Sequence, residues 1–417
     1  MSIVSWREHY VPRTERTQAS QKVTRPMKDS RHIPVRFIAA TPRGDVVLNG
    51  DRPKRYLPTD PQAEVAENGL RYGPYLEAVR YLLLRQNCQK ILEALARRLG
   101  RAVNLEEIDF IEIRTEKHGA SYHVARVDLS VSGSLLSFAV NVAASDADRS
   151  EMKRDFRLLD KLGRRYPHPF LPQVYFKSAG RYREVGKRSR WLHMYVAEWL
   201  RGYHEFHLHL DQQQGCYRLL LWDLDRGSRY LSRAQCLDLY RQAARILTAY
   251  YDWNTFRQVY PWHHAAGDFV LKEEGGEVEV RLITIRDYGP VVDFSTGKRA
   301  GRLLALILFF LHLTIQNRLD RLDGVGEVVW TDDYCLEGVV AGFFEGLALG
   351  GDVKARRGMP PNEEILALLR SLARDEWLQF MREYLDTYTL SQEELSLIQK
   401  NCDDHLDKLQ QVLLMRA

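Results

Sequence analysis

Cysteine is scarce and scattered in this chain. Five residues (Cys88, Cys216, Cys236, Cys335 and Cys402) occur in 417. No two form a CxxC pair, so a thiolate metal site is not indicated, and their odd number argues against a disulfide framework. Long hydrophobic runs are also lacking. The most apolar segment, Leu303 to Ile315, is shorter than the roughly 20 residues a bilayer span requires and contains His312. A buried core helix is expected there, and no transmembrane segment. Residues 1–32 are polar and rich in Arg and Thr, unlike a secretory leader. The plain expectation is a reducing, cytoplasmic setting.

What is present fits a globular protein. The hydrophobic fraction is 45%, the charged fraction is 28% and the formal charge is +5. Residues 1–55 carry twelve Arg or Lys against five Asp or Glu, so the basic character belongs to the leader and the remainder is slightly acidic. Residues 1–60 have few periodic apolar positions and several prolines, and read as a poorly ordered or extended leader. A helical extension is expected over 61–105: Leu76, Val79, Leu83, Ile91, Leu95 and Leu99 keep a helical period from Pro74, and Gly100 is a natural stop.

Strand patterns follow over 109–115, 122–131 and 135–142, the last two joined through Ser132-Gly133-Ser134 as a hairpin. A helix is expected from about Ala147 to Leu162, then strands at 175–177 and 192–200. Beyond Gly202 the composition turns helical, with helices expected over 232–251, 300–318, 335–348, 361–385 and 390–414. Strand-like runs 268–272 and 278–285 flank the turn Glu273-Glu274-Gly275-Gly276. The expected class is α+β, with a small antiparallel-sheet lobe over 106–201 and a mainly helical lobe over 202–417.

This order resembles the two-lobed protein-kinase-like fold, closest in style to the aminoglycoside and choline phosphotransferases, over roughly residues 109–385. Asp287-Tyr288-Gly289 looks like the Asp-Phe-Gly element whose aspartate holds magnesium. Nineteen residues earlier, Gly267-Asp268 resembles the His-Gly-Asp element that orients and deprotonates the acceptor hydroxyl, with Ala266 in place of its histidine and His264 two residues further back. Glu273 stands where the family places a second metal ligand. The strand Leu135 to Val142 resembles the one carrying the phosphate-pairing lysine, but Asn141 occupies that position, and Asp155 stands where the helix carboxylate would be. Lys117 on the turn containing Gly119, or Arg126 on the next strand, would have to supply the missing cation. Glu198 is placed like the hinge acid. Asp293 and the segment Gly338 to Leu347 resemble further substrate-side elements, although the latter equally suits helix packing.

The resemblance implies ATP and Mg²⁺ as cofactors and phosphoryl transfer to a hydroxyl of a small or unusual acceptor. Asp268 would be the base, and Glu273 and Asp287 the metal ligands. The acceptor is expected to be a small molecule or a protein. Asn141 and the glycine-poor turn at 117–121 favour the rival expectation: an impaired pseudokinase acting as a nucleotide-binding scaffold or regulator. Two further patterns carry bland readings. His204, His207 and His209 read as a solvent-facing segment ahead of a zinc site. The basic run Arg181, Arg183, Lys187, Arg188 and Arg190 beside Tyr182 and Trp191 reads as a charged hairpin tip, with nucleic acid as the weaker alternative.

Overall fold

The computed structural model describes residues 32–39, 45–48, 72–118, 123–143, 146–182, 190–223, 226–264, 267–292, 299–349 and 355–416. Part of the basic leader runs extended along the body. Strand β1 (Val35–Ala39) pairs in parallel with residues 111–115, and β2 (Val46–Val47) folds back on it. Where one continuous helix was expected, there are two: α1 (Tyr72–Leu84) and α2 (Gln89–Leu99). Gln86, Asn87 and Cys88 take φ of 55°, 54° and 64°, and consecutive left-handed residues cannot continue a right-handed helix. The break lets both helices turn their apolar stripes onto one sheet. Leu76, Val79 and Leu83 of α1 and Ile91 and Leu95 of α2 are all buried in the same core.

That sheet continues with β3 (Ile108–His118), β4 (His123–Val131) and β5 (Ser134–Ala143). Helix α3 (Asp146–Arg165) then precedes β6 (Val174–Tyr182) and β7 (Arg190–Glu198). The seven strands lie in the order β2-β1-β3-β4-β5-β7-β6. The expected β4–β5 hairpin forms through Ser132 and Gly133, both at positive φ as a primed turn requires. Alternation sorts the two faces. Val127, Phe138, Val140, Met194 and Val196 belong to the core beneath α1 and α2. Ala143, Tyr195 and Ala197 belong to a second core shared with α3 and the helical lobe.

The helical extension also covers the outer edge of the sheet. Arg97 donates to the carbonyl of Tyr175 (2.5 Å), Lys90 to that of Lys177 (2.9 Å) and Arg85 to that of Ala179 (2.9 Å). These are alternate residues of edge strand β6, and alternate carbonyls are the groups an added strand would take. Three cations therefore occupy the sites of edge-to-edge pairing. Replacing Lys90 and Arg97 together by Ala should increase self-association over wild type in sedimentation velocity as concentration rises. Unchanged sedimentation would show that the helices alone block the edge.

The second half is mainly helical, but strands intervene where helix was expected. Beyond Gly202 come β8 (Phe206–Asp211), β9 (Cys216–Leu221) and β10 (Arg229–Tyr230), which form a separate three-stranded sheet. Helix α4 (Arg233–Ala249) follows, then β11 (Arg257–Val259), β12 (Phe269–Glu274), β13 (Glu277–Leu282) and β14 (Tyr288–Pro290). The chain ends with α5 (Arg299–Gln316), β15 (Leu319–Arg321), β16 (Val328–Trp330), α6 (Tyr334–Ala348), α7 (Asn362–Ser371), α8 (Arg374–Thr387) and α9 (Gln392–Met415). The helix expected over 361–385 is split because Leu372 and Ala373 are extended. Helix α5 is long and apolar enough to cross a bilayer by length and composition, yet Ala305 to Gln316 are buried in the protein core, as the sequence reading expected. The architecture is α+β and coarsely two-lobed, strand-rich at first and largely helical afterwards.

Helix α6 sits against α4 at backbone contact. A Cβ on Gly338, Gly342 or Gly346 would lie 2.5 Å from Leu237 O, 1.9 Å from Arg241 O and 2.5 Å from Thr248 Cβ respectively. Glycines four residues apart make one bare stripe, so the segment Gly338 to Leu347 is a packing surface. Gly342→Ala must push two backbones apart. A loss of about 3 kcal/mol or more is expected in denaturant unfolding, against a gain of under ~1 kcal/mol from helix propensity.

Candidate interlobe site

Helix α3 and the inner face of the sheet enclose one wall of the site. Asn141 on β5 pairs with Tyr195 on β7 and Val124 on β4, so these side chains share the inner face. Tyr195 donates its hydroxyl to Asp155 Oδ2 at 2.7 Å, and the Ile285 backbone N–H donates to Asp155 Oδ1 at 3.0 Å. Both oxygens of the helix carboxylate are therefore engaged by neutral donors. Asp155 is 2% exposed. Burial raises its pKa to about 7 against those two hydrogen bonds, and nearby Asp268 and Glu151 raise it further.

The opposite wall is formed by Trp262 to His264 together with Gly267 and Asp268. Asp268 is 1% exposed and sits at the start of β12. Its Oδ2 accepts the His263 backbone N–H at 3.0 Å and Arg286 Nε at 3.2 Å, and its Oδ1 accepts Arg286 Nη2 at 2.9 Å. Burial raises the Asp268 pKa, and the Arg286 charge and hydrogen bonds oppose it. The other side of the guanidinium lies 3.8 Å from Glu151 on α3. Arg286 thus stands among three carboxylates: Asp268, Glu151 and, beyond them, Asp155. The loop is fixed from behind by His263 to Gln316 and His264 to Asn317, each at 3.0 Å. Burial lowers the pKa of His264 to about 4, so it serves as a neutral ring.

The other expected site residues lie elsewhere. Glu273 is five residues along β12 from Asp268, about 16 Å at the usual strand rise. It accepts Arg229 Nη2 at 2.7 Å and the Gly276 N–H at 3.0 Å, closing the β12–β13 hairpin. Asp287 is exposed, its Oδ1 accepts the N–H of Tyr288, and its backbone carbonyl accepts from Tyr260. Tyr288 anchors that segment, donating to the Tyr250 carbonyl (2.9 Å) with the Tyr166 hydroxyl 3.2 Å away. Arg126 is shared between Asp128 (2.9 Å) and Glu116 (3.5 Å), and its guanidinium lies 5.7 Å from the Trp199 ring. Glu198 accepts Arg98 of α2 at 2.6 Å and pairs in register with Phe138 of the outer core, so it joins the last strand to α2. The Lys117 side chain, Gly119, Asp293 and the middle of the basic run, Arg183 to Arg188, lie outside the described residues.

Among the described residues, no group of three or more His, Cys, Asp or Glu could hold a metal ion. Asp268, Glu273 and Asp287 are not gathered, and the cation beside Asp268 is a guanidinium. His204, His207 and His209 likewise diverge, facing Asp223, Trp222 and Asp323 respectively. Comparison with known proteins adds nothing to this geometry: no protein-family model matches the chain, and no curated protein matches it.

Sequence reasoning missed Arg286, Tyr195 and Glu151. Arg286 directly precedes Asp287, but adjacency gives no sign that it reaches back to Asp268. The raised Asp155 pKa makes a signed prediction. Folding retains a proton that the unfolded chain gives up near pH 4. This contribution to stability is present below that pH and is lost as pH rises through about 7. Asp155→Asn keeps an acceptor for Ile285 and can pair with Tyr195. Its unfolding midpoint should be less pH-dependent than that of wild type between pH 5 and 8, and no lower at pH 8. Identical pH slopes for the two proteins would refute the assignment.

Proposed function

We propose that this chain is a kinase-like protein in which an arginine stands in for the metal, and that it acts as a scaffold or regulator without phosphoryl transfer. The bidentate contact of Arg286 with buried Asp268 carries the reading. Phosphoryl transfer depends on positioned cations and on a carboxylate free to meet metal or acceptor. Here the carboxylate is already neutralised from within the chain. The strand position that would carry a lysine is Asn141, and Asp155 has taken Tyr195 as its partner.

Ties between the lobes support the same view. Asp155 meets the Ile285 N–H, Glu151 faces Arg286, and Arg165 at the end of α3 bonds to Asp252 at 2.8 Å. Transferases that sequester substrate usually open and close. Three contacts along α3 fasten these lobes together, a property suited to presenting a fixed surface.

Thermal-shift and calorimetric titration with ATP and Mg²⁺ tests the proposal. No response is expected from wild type. Arg286→Ala should lose about 3 kcal/mol of stability, because it leaves a buried carboxylate unpaired. It should also gain a stabilising response to millimolar Mn²⁺ or Mg²⁺ that wild type lacks. Magnesium-dependent ATP binding by wild type, with transfer abolished in Asp268→Asn, would reinstate the phosphotransferase.

A further inference from the structure

The hairpin of β8 and β9 projects its apolar face beyond the protein body. Phe206 faces Leu221 and Leu208 faces Leu219, all four buried. One step further out, Leu210 faces Tyr217, and these are 42% and 36% exposed. Beneath this overhang a cavity of about 500 Å³ opens between β9, the start of α4 and the start of α6. Tyr217, Leu219, Leu231 and Tyr334 supply its apolar and aromatic lining, and its charged positions are Arg218, which is paired with Asp211 at 2.9 Å, Arg233, Asp332 and Asp333. The volume falls within the range of small-molecule sites.

The charges around the cavity are unequally paired. Arg233 is the first residue of α4, lies exposed, and has no acidic partner among the described residues; its guanidinium lies 6.0 Å from the Tyr334 ring. No acidic residue occupies the first turn of this 17-residue helix. A cation at a helix N-terminus opposes the macrodipole, where an anion would be favoured. Ser232 and Gln235 cap each other, at 2.9 and 3.2 Å, so two of the four orphan N–H groups at this helix start are satisfied and those of Arg233 and Ala234 are left without an intrahelical partner. Of the two acids, Asp333 is engaged by Arg318 and Lys408, whereas Asp332 is exposed and has no cationic partner among the described residues.

We infer that this cavity binds a small amphipathic monocarboxylate, with its carboxylate on Arg233 and its apolar or aromatic body against Tyr217, Leu219 and Tyr334. Asp332 repels a second acidic group and admits an amino group. The site is separate from Arg286 and Asp268, so it stands whether or not the interlobe reading holds.

Ligand-observed and protein-observed NMR titration of the full chain with 3-phenylpropionate tests this. Saturable binding in the millimolar range or tighter is expected, with 3-phenylpropan-1-ol at least about tenfold weaker because it lacks the charge. Arg233→Gln should weaken the acid by about tenfold and leave the alcohol unchanged. Tyr217→Ala should weaken both. Arg299→Gln, whose native Arg pairs with Glu364 away from the cavity, should change neither. Arg233→Gln exchanges one exposed side chain for another, and amide spectra will verify that it folds. Absence of saturable binding, equal affinity for acid and alcohol, or unchanged affinity in folded Arg233→Gln would each overturn the inference.

Discussion

A buried carboxylate needs either a cation or a proton, and in this protein Arg286 is the cation for Asp268. Charge removed from water is stable only with a close partner and enough hydrogen bonds. Asp268 receives two from the guanidinium and one from the His263 backbone. One arginine cannot serve three acids equally. Glu151 keeps a longer contact on the outer side, and Asp155 responds instead by taking up a proton more readily, its pKa rising to about 7. Neutral donors suit it for that reason: Tyr195 and the Ile285 N–H stabilise a carboxyl group in either state.

The same cluster organises both halves of the molecule. Asp155 and Glu151 lie one turn apart on α3, so a single face of that helix meets both the Ile285 backbone and Arg286. Further along, Tyr166 reaches Tyr288, which bonds to the end of α4 through Tyr250. Helix α4 lies in backbone contact with α6 along the glycine stripe. The path from sheet to helical lobe therefore runs through buried groups with fixed partners, and rotation of one lobe would leave several of them unpaired at once.

The legible part of the fold was the part with strong local periodicity. Strands over 109–142, the helix bearing Met152 and Leu159, and the long helices each bury a continuous stripe that the sequence displays. What escaped was short or contradicted by neighbours. β8 alternates histidine with leucine while β9 reads Cys-Tyr-Arg-Leu-Leu-Leu with no alternation, and their pairing, not their composition, makes them strands. The turn at Gln86 to Cys88 contains no glycine, so no local signal announces three left-handed residues. At the interlobe site, Asp268 and Asp155 were identified as residues of interest, and the structure brings them near each other. Glu273 was chosen by spacing in a motif, and one strand of six residues carries it to the far end of a hairpin.

In Arg286-Asp287-Tyr288-Gly289 the neighbouring charges have different partners. The aspartate of the motif faces outward, and the arginine before it turns inward to the acid eighteen positions upstream of that arginine. The cleft is thereby balanced against itself, with Arg126 held between Glu116 and Asp128 and Glu273 held by Arg229. Recognition of a charged ligand needs charge still available to it. At the start of α4 a cation stands where the helix field disfavours it, and Tyr217 and Tyr334 line the open groove beside it. The physical argument for ligand binding is therefore stronger there than at the residues that resemble a catalytic motif.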